Sequence, residues 1–122
     1  MIRYRYLLDE NVTPILRDAL NRIEPETTIW RVGHPGVPEN GTPNPVILEW
    51  CANQGFSLVT NNRKSMPGHL REFIALGRTA PAIFVLNPRL TVGETVSELH
   101  PIWAAAEPYE YQNKTNFMSI VA

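Results

Sequence analysis

At 122 residues, 43% hydrophobic and 19% charged, the chain is long enough to bury a core and too apolar to remain disordered. Eleven Lys and Arg against twelve Asp and Glu leave a net charge of −1, which excludes nucleic-acid recognition by bulk charge and leaves only a local cluster to do it. A lone cysteine, Cys51, excludes an internal disulfide, no Cys–His spacing suggests zinc, and no run approaches the roughly 18 apolar residues of a membrane span. These features predict one domain over residues 1–122 in a reducing, cytoplasmic setting, with no membrane contact and no export signal behind Met1.

Tyr4 to Leu8 is short, aromatic and apolar, and Asp9-Glu10-Asn11 stops it, as a strand ending in functional residues would read. Thr13-Pro14 supplies an N-cap and a proline at the first helical position. Ile15, Leu16, Ala19, Leu20 and Ile23 follow at helical spacing, and Pro25 closes the helix. Thr27 to Val32 is β-branched and predicts a second strand. Residues 33–42 hold three glycines and two prolines and form a loop.

Asn44-Pro45 repeats the cap-plus-proline start, and Ile47, Leu48, Cys51 and Ala52 give the next helix its apolar face, with Gly55 at its end. Phe56 to Thr60 predicts a third strand stopped by Asn61-Asn62. Pro67 to Leu76 predicts a short helix ended by Gly77. Ala82 to Leu86 is nearly continuous apolar, as in a strand covered on both faces. Thr91 and Glu94 form the Thr-x-x-Glu pattern of a capping box, and the helix they open is expected to break or kink at Pro101. A last strand-like run covers Phe117 to Val121, either at a sheet edge or docked elsewhere.

Alternating strands and helices imply an α/β fold with a mostly parallel central sheet and helices on both faces. Ligands of such sheets sit beyond the carboxyl ends of the strands, where this chain places Asp9, Thr60-Asn61-Asn62 and Asn87. Asp9 is the foremost candidate, because a carboxylate at the end of a buried strand needs a cation or a set of donors. With Glu10 and Asn11 it offers oxygen ligands suited to Mg²⁺ or Mn²⁺. The alternative is that Asp9 serves the amides opening the first helix, or pairs with Arg63.

In the third-strand loop, Arg63 and Lys64 are candidates to hold phosphate, while Thr60 or Asn62 positions a metal or water. The alternative is an Asn-rich turn whose side chains bond their own backbone. Glu49 is a further metal candidate, although its helix turns Ile47, Leu48 and Cys51 to the core and a solvated carboxylate is the commoner case. His34, His69 and His100 read as surface or hydrogen-bonded histidines, the first two in loops.

Tyr6-Leu7-Leu8-Asp9-Glu10-Asn11 followed by a helix, then Gly55-Phe56-Ser57-Leu58-Val59-Thr60, and Pro81 to Asn87 together resemble short prokaryotic PIN-like domains, relatives of the toxins of toxin–antitoxin modules. The resemblance covers nearly the whole chain. It implies a PIN-like three-layer α/β/α sandwich and a metal-dependent endoribonuclease acting on RNA. Asp9 is its first acid and a catalytic and metal residue, with Glu10 and Asn62 catalytic beside it. Asn11, Thr60, Asn61, Arg63 and Lys64 would bind substrate, and Glu49 would add a metal ligand for Mg²⁺ or Mn²⁺.

A small antitoxin protein and a homodimer are the partners to expect. Where the family commonly carries further acids, this chain has Asn44 and Val46, then Asn62 and Lys64. A two-metal mechanism needs several anionic oxygens, so the same rim in a module that binds RNA or a protein without cutting is the alternative. A purely structural subunit is a third, which would show no dependence on the rim.

Overall fold

A computed structural model describes residues 5–106 and 110–118. Its strands are β1 (Arg5–Leu8), β2 (Thr28–Arg31), β3 (Ser57–Thr60), β4 (Ile83–Val85) and β5 (Thr115–Phe117). Its helices are α1 (Pro14–Ile23), α2 (Asn44–Gln54), α3 (Met66–Ala75) and α4 (Val92–Ala105). The strands pair in the order β2-β1-β3-β4-β5, every pair parallel, so the fold is α/β as the element order predicts. The chain leaves β1 toward β2 and then crosses to β3 on the other side. The carboxyl ends of β1 and β3 therefore flank the point where strand order reverses, the usual place for a ligand in such sheets.

Because strand side chains alternate, the three central strands β1, β3 and β4 each feed two cores. Tyr6, Leu8, Ile29, Val59 and Phe84 pack with Leu16 and Leu20 of α1 and with Val96, Leu99 and Trp103 of α4. Leu7, Leu58, Ile83 and Val85 pack with Ile47, Leu48 and Cys51 of α2 and with Leu70 and Phe73 of α3. Tyr6 also ties sheet to helix, its buried hydroxyl donating to the Leu99 carbonyl at 2.9 Å.

Local chemistry sets most boundaries. Thr13 caps α1, its hydroxyl accepting from the Ile15 amide, and Pro14 takes the first position, where no amide is needed. Thr91 and Glu94 complete a reciprocal capping box on α4. Gly55 closes α2 at φ 75° and ψ 34°, a left-handed conformation in which a side chain would also collide with the Arg5 guanidinium, 2.7 Å from where its Cβ would stand.

Five expectations need correction. Only Leu16 and Leu20 of the α1 stripe are buried; Ile15 and Ile23 are exposed, because the helix meets α4 and the sheet along a narrower strip. Asn44 is the first residue of α2 and Pro43 is its cap, without a side-chain cap bond. His69 lies inside α3 rather than in a loop.

Pro101 does not end α4, which runs on to Ala105. Proline there removes a hydrogen bond to the carbonyl four residues back, that of Ser97, and both residues face solvent, where water can replace the lost donor. The last strand starts at Thr115, two residues before the apolar run, because the β4 ladder pairs Ile83 with Thr115 and Phe84 with Asn116. It is a parallel edge strand, and Ser119 to Val121 lie outside the described residues.

Candidate functional site

The ends of β1 and β3 meet, as the topology requires. Asp9 extends the β1–β3 ladder by one residue, its amide donating to the Val59 carbonyl at 2.9 Å. Its side chain is 8% exposed, so it has exchanged most of its water for protein donors. One carboxylate oxygen accepts the Glu10 amide at 2.9 Å, and the other accepts the hydroxyl of fully buried Thr60 at 2.9 Å. Thr60 Oγ1 in turn accepts the Asn62 amide at 3.0 Å. Thr60 thus fixes the orientation of Asp9, and its own loop fixes Thr60.

The two rim loops are tied by a further bond, from the Asn61 side-chain amide to the Asn11 carbonyl at 3.0 Å. Glu10 reaches the long loop after β2 and accepts the Gly41 amide at 2.9 Å. The result is an open cleft of about 300 Å³ lined by Asp9, Glu10, Asn11, Asn44, Thr60, Asn61 and Asn62. Its side chains are carboxylates, amides and one hydroxyl. Among the described residues Asp9 forms no ion pair, so the alternative of an Arg63 partner is not realised. The charge is felt below the cleft: burial, with the negative field of Asp9 added, pushes the Cys51 thiol far above its ordinary range.

Asn11 and Asn61 also line a neighbouring recess of about 230 Å³ toward β4, whose other walls include Leu16, Leu86, Asn87 and Leu90. Asn87, the polar residue after β4, is 8% exposed and its side-chain oxygen accepts the Arg89 amide at 2.9 Å. This recess carries no charged side chain and suits an uncharged group.

Other candidate residues stand elsewhere or are occupied. Glu49 is exposed on α2 and pairs with Arg78 at 3.3 Å, outside the cleft, because Ile47, Leu48 and Cys51 hold the inward face of that helix. Asn62 lines the cleft, yet its side-chain oxygen accepts the Ser65 amide at 3.0 Å and its nitrogen donates to the Ser65 hydroxyl at 2.7 Å. It therefore first serves its own turn into α3, the local role open to asparagine. Arg63 and Lys64 are exposed and line none of the cleft; the Arg63 guanidinium lies 5.6 Å from the Phe117 ring centre. Of the positions where acids were expected, Asn44 does line the cleft, whereas Val46 is 49% exposed on α2.

The donor set admits one hard divalent ion and not a pair. Each Asp9 oxygen accepts one hydrogen bond and retains capacity for another, and Glu10 and the Asn44 amide add oxygens at the wall. Mg²⁺ is commonly held by one or two carboxylates with waters and substrate phosphates, which matches this set. Among the described residues no group of three or more His, Cys, Asp or Glu comes together, and the charge needed for two ions is missing.

Sequence reasoning missed the Gly41 amide beside Glu10, and Arg31 at the end of β2. Arg31 was available on the signal that singled out Asp9, a charged residue closing an apolar strand. No helix among the described residues is long and apolar enough to cross a membrane. Comparison of the chain with models of protein families, with curated proteins and with solved structures finds no match.

Proposed function

We propose that the chain is a PIN-like endoribonuclease module, of the kind used as a toxin with a small antitoxin partner, acting on RNA with one Mg²⁺ or Mn²⁺ at Asp9. The observation that supports this most is the state of Asp9: a buried, oriented carboxylate with no ion pair among the described residues, opening on a cleft of oxygen donors at the strand-order switch point. Asp9 and Glu10 would hold the ion, with the Asn44 amide at the wall. When bound, such an ion lowers the pKa of water and polarises a phosphoryl oxygen. Thr60 holds Asp9 in place, Asn61 keeps the two rim loops in register, and exposed Arg63 and Lys64 are free to meet phosphate outside the cleft.

The test is incubation of the purified chain with end-labelled single-stranded RNA, with Mn²⁺ or Mg²⁺ and separately with chelator. Cleavage that needs the ion is expected, and intact RNA at every ion concentration would refute catalysis. Thr60→Val keeps the shape but removes the hydroxyl that orients Asp9. Loss of such a supporting contact commonly weakens metal affinity about 10–100-fold, so the Mn²⁺ concentration for half-maximal cleavage should rise by that factor. An unchanged requirement would show that Thr60 does not position Asp9.

The second reading, a non-cleaving module, is favoured by the amides Asn44 and Asn62 in the cleft and by the local engagement of Asn62. It predicts RNA binding that survives chelator without any cleavage.

A further inference from the structure

On the far side of Glu10 from the Asp9 cleft lies a second recess, of about 290 Å³, lined by Glu10, Arg17, Arg31, Gly33, His34 and Asn40 among others. Its chemistry is opposite to that of the cleft. Arg31 closes β2, and the ladder pairs it with Leu8, the residue before Asp9. Leu8 faces α1, so Arg31 projects to the same side, where Arg17 of α1 lines the same recess. The Arg31 Nε is buried and has no hydrogen-bond partner, and its guanidinium makes no ion pair among the described residues.

A half-buried guanidinium carries five N–H donors and a charge that water cannot fully solvate, and it calls for an anion with paired oxygens. Among the described residues no carboxylate pairs with it: the one on the recess wall, Glu10, accepts the Gly41 amide through one oxygen and forms no salt bridge with Arg31. Among the described residues Arg17 pairs only with Asp18, at 3.4 Å, with Asp18 61% exposed, and such a pair yields readily to a competing anion. On the recess wall Gly33 adopts φ 97° and packs against Asn40, whose side-chain oxygen would stand 2.6 Å from a Cβ at that position, so a larger residue would displace the wall.

We propose that this recess is a phosphate subsite for single-stranded RNA, in which Arg31 and Arg17 clamp one backbone phosphate while the adjoining stretch of the strand enters the Asp9 cleft. The inference rests on the reading of that cleft as an RNA site. The shared Glu10 wall makes the two sites contiguous, which a linear polyanion can exploit and a compact anion cannot. The position also accounts for a rim whose cleft carries no cation of its own: the anchoring charge is one strand over, on β2 and α1.

The experiment is fluorescence anisotropy of a 5′-labelled ten-nucleotide oligouridylate in chelator, so that binding is read without cleavage, over a range of salt. Arg31→Gln and Arg17→Gln should each weaken binding roughly tenfold, the scale of losing a charged hydrogen-bonding contact. Each should also reduce the slope of log affinity against log salt by about 0.7, the value for one phosphate contact on a single strand. Arg71→Gln, an exposed cation on α3 away from both sites, should change neither.

Arg17 is half-buried on α1 with its charge paired only at the surface, so its variant is the milder of the two and carries the test even if Arg31→Gln fails to fold. Wild-type affinity and slope in Arg17→Gln would overturn the proposal, as would stronger displacement of the RNA by polyglutamate than by unlabelled RNA of equal charge. If the wild type does not cleave with Mn²⁺ but both variants lose affinity, the subsite stands and the nuclease reading falls. If it cleaves and both variants bind as the wild type does, the subsite falls and the nuclease reading stands.

Discussion

Asp9→Asn is expected to lower the rate of ion-dependent RNA cleavage on the order of a hundredfold to a thousandfold, the range for losing one preorganised charge-stabilising group. The substitution is nearly isosteric. Its remaining oxygen can still accept the Glu10 amide, and its new amide nitrogen can donate to the Thr60 hydroxyl oxygen, which leaves the Thr60 proton as the one donor to be re-partnered. What it removes is the negative charge. That charge is buried without an ion pair among the described residues, so its loss offsets the displaced Thr60 proton: a net change of about 1 kcal/mol in either direction, or a melting shift of no more than roughly 5 °C. A large loss of activity with a small change in melting temperature assigns Asp9 to chemistry. A variant that melts far lower and keeps its specific activity assigns it to structure. Asp9→Ala discriminates less well, because it leaves the Thr60 hydroxyl and the Glu10 amide without an acceptor.

The largest effect on stability is expected from Phe84→Ala, at about 3–5 kcal/mol. Phe84 is fully buried in β4, with the Tyr6 ring edge-on at 5.9 Å and the Tyr111 ring at 5.7 Å. Truncation removes the transfer free energy of the ring, leaves a cavity between sheet and α4, and forfeits these ring contacts. Against a typical total of about 5–15 kcal/mol, that is a large fraction of the fold's margin. The consequence reaches the rim, because β4 pairs Val85 with Thr60 and the Leu86 amide donates to the Thr60 carbonyl at 2.9 Å. Urea unfolding measures it directly. A loss under about 1 kcal/mol would mean that the core relaxes around this position and that β4 is not its keystone.

The strands and the rim were readable because the middles of buried parallel strands are apolar. Leu7-Leu8, Leu58-Val59 and Ile83-Phe84-Val85 are apolar on both faces, so the polar residues that follow mark where each strand leaves the core. Parallel pairing then brings Asp9 and Thr60 to one edge despite a separation of 51 positions in the chain. The helix starts at Thr13 and Thr91 were readable for a similar reason, since a cap is a local arrangement of a few residues.

What escaped depends on distant partners. The exposure of Ile15 and Ile23 follows from how much of α1 the sheet and α4 can cover, which the periodicity of α1 does not contain. The Glu49–Arg78 pair and the Glu10–Gly41 contact join segments that only the tertiary fold brings together. The pattern around Asn62 suits both a catalytic and a turn residue, and Ser65, three positions on, supplies the turn partner. Pro101 shows the converse: a strong local signal for breakage yields when the exposed side of a helix can give up one bond to water.

If Asp9 serves as a divalent-ion ligand and not merely as an acceptor for its neighbours, the protein takes up Mn²⁺ in the absence of RNA. Electron paramagnetic resonance of free Mn²⁺, followed while the protein is titrated, measures this without any assumption about substrate. One Mn²⁺ bound per wild-type chain and none per Asp9→Asn chain is the predicted result. Equal Mn²⁺ uptake by the two proteins, or none by the wild type, would contradict it.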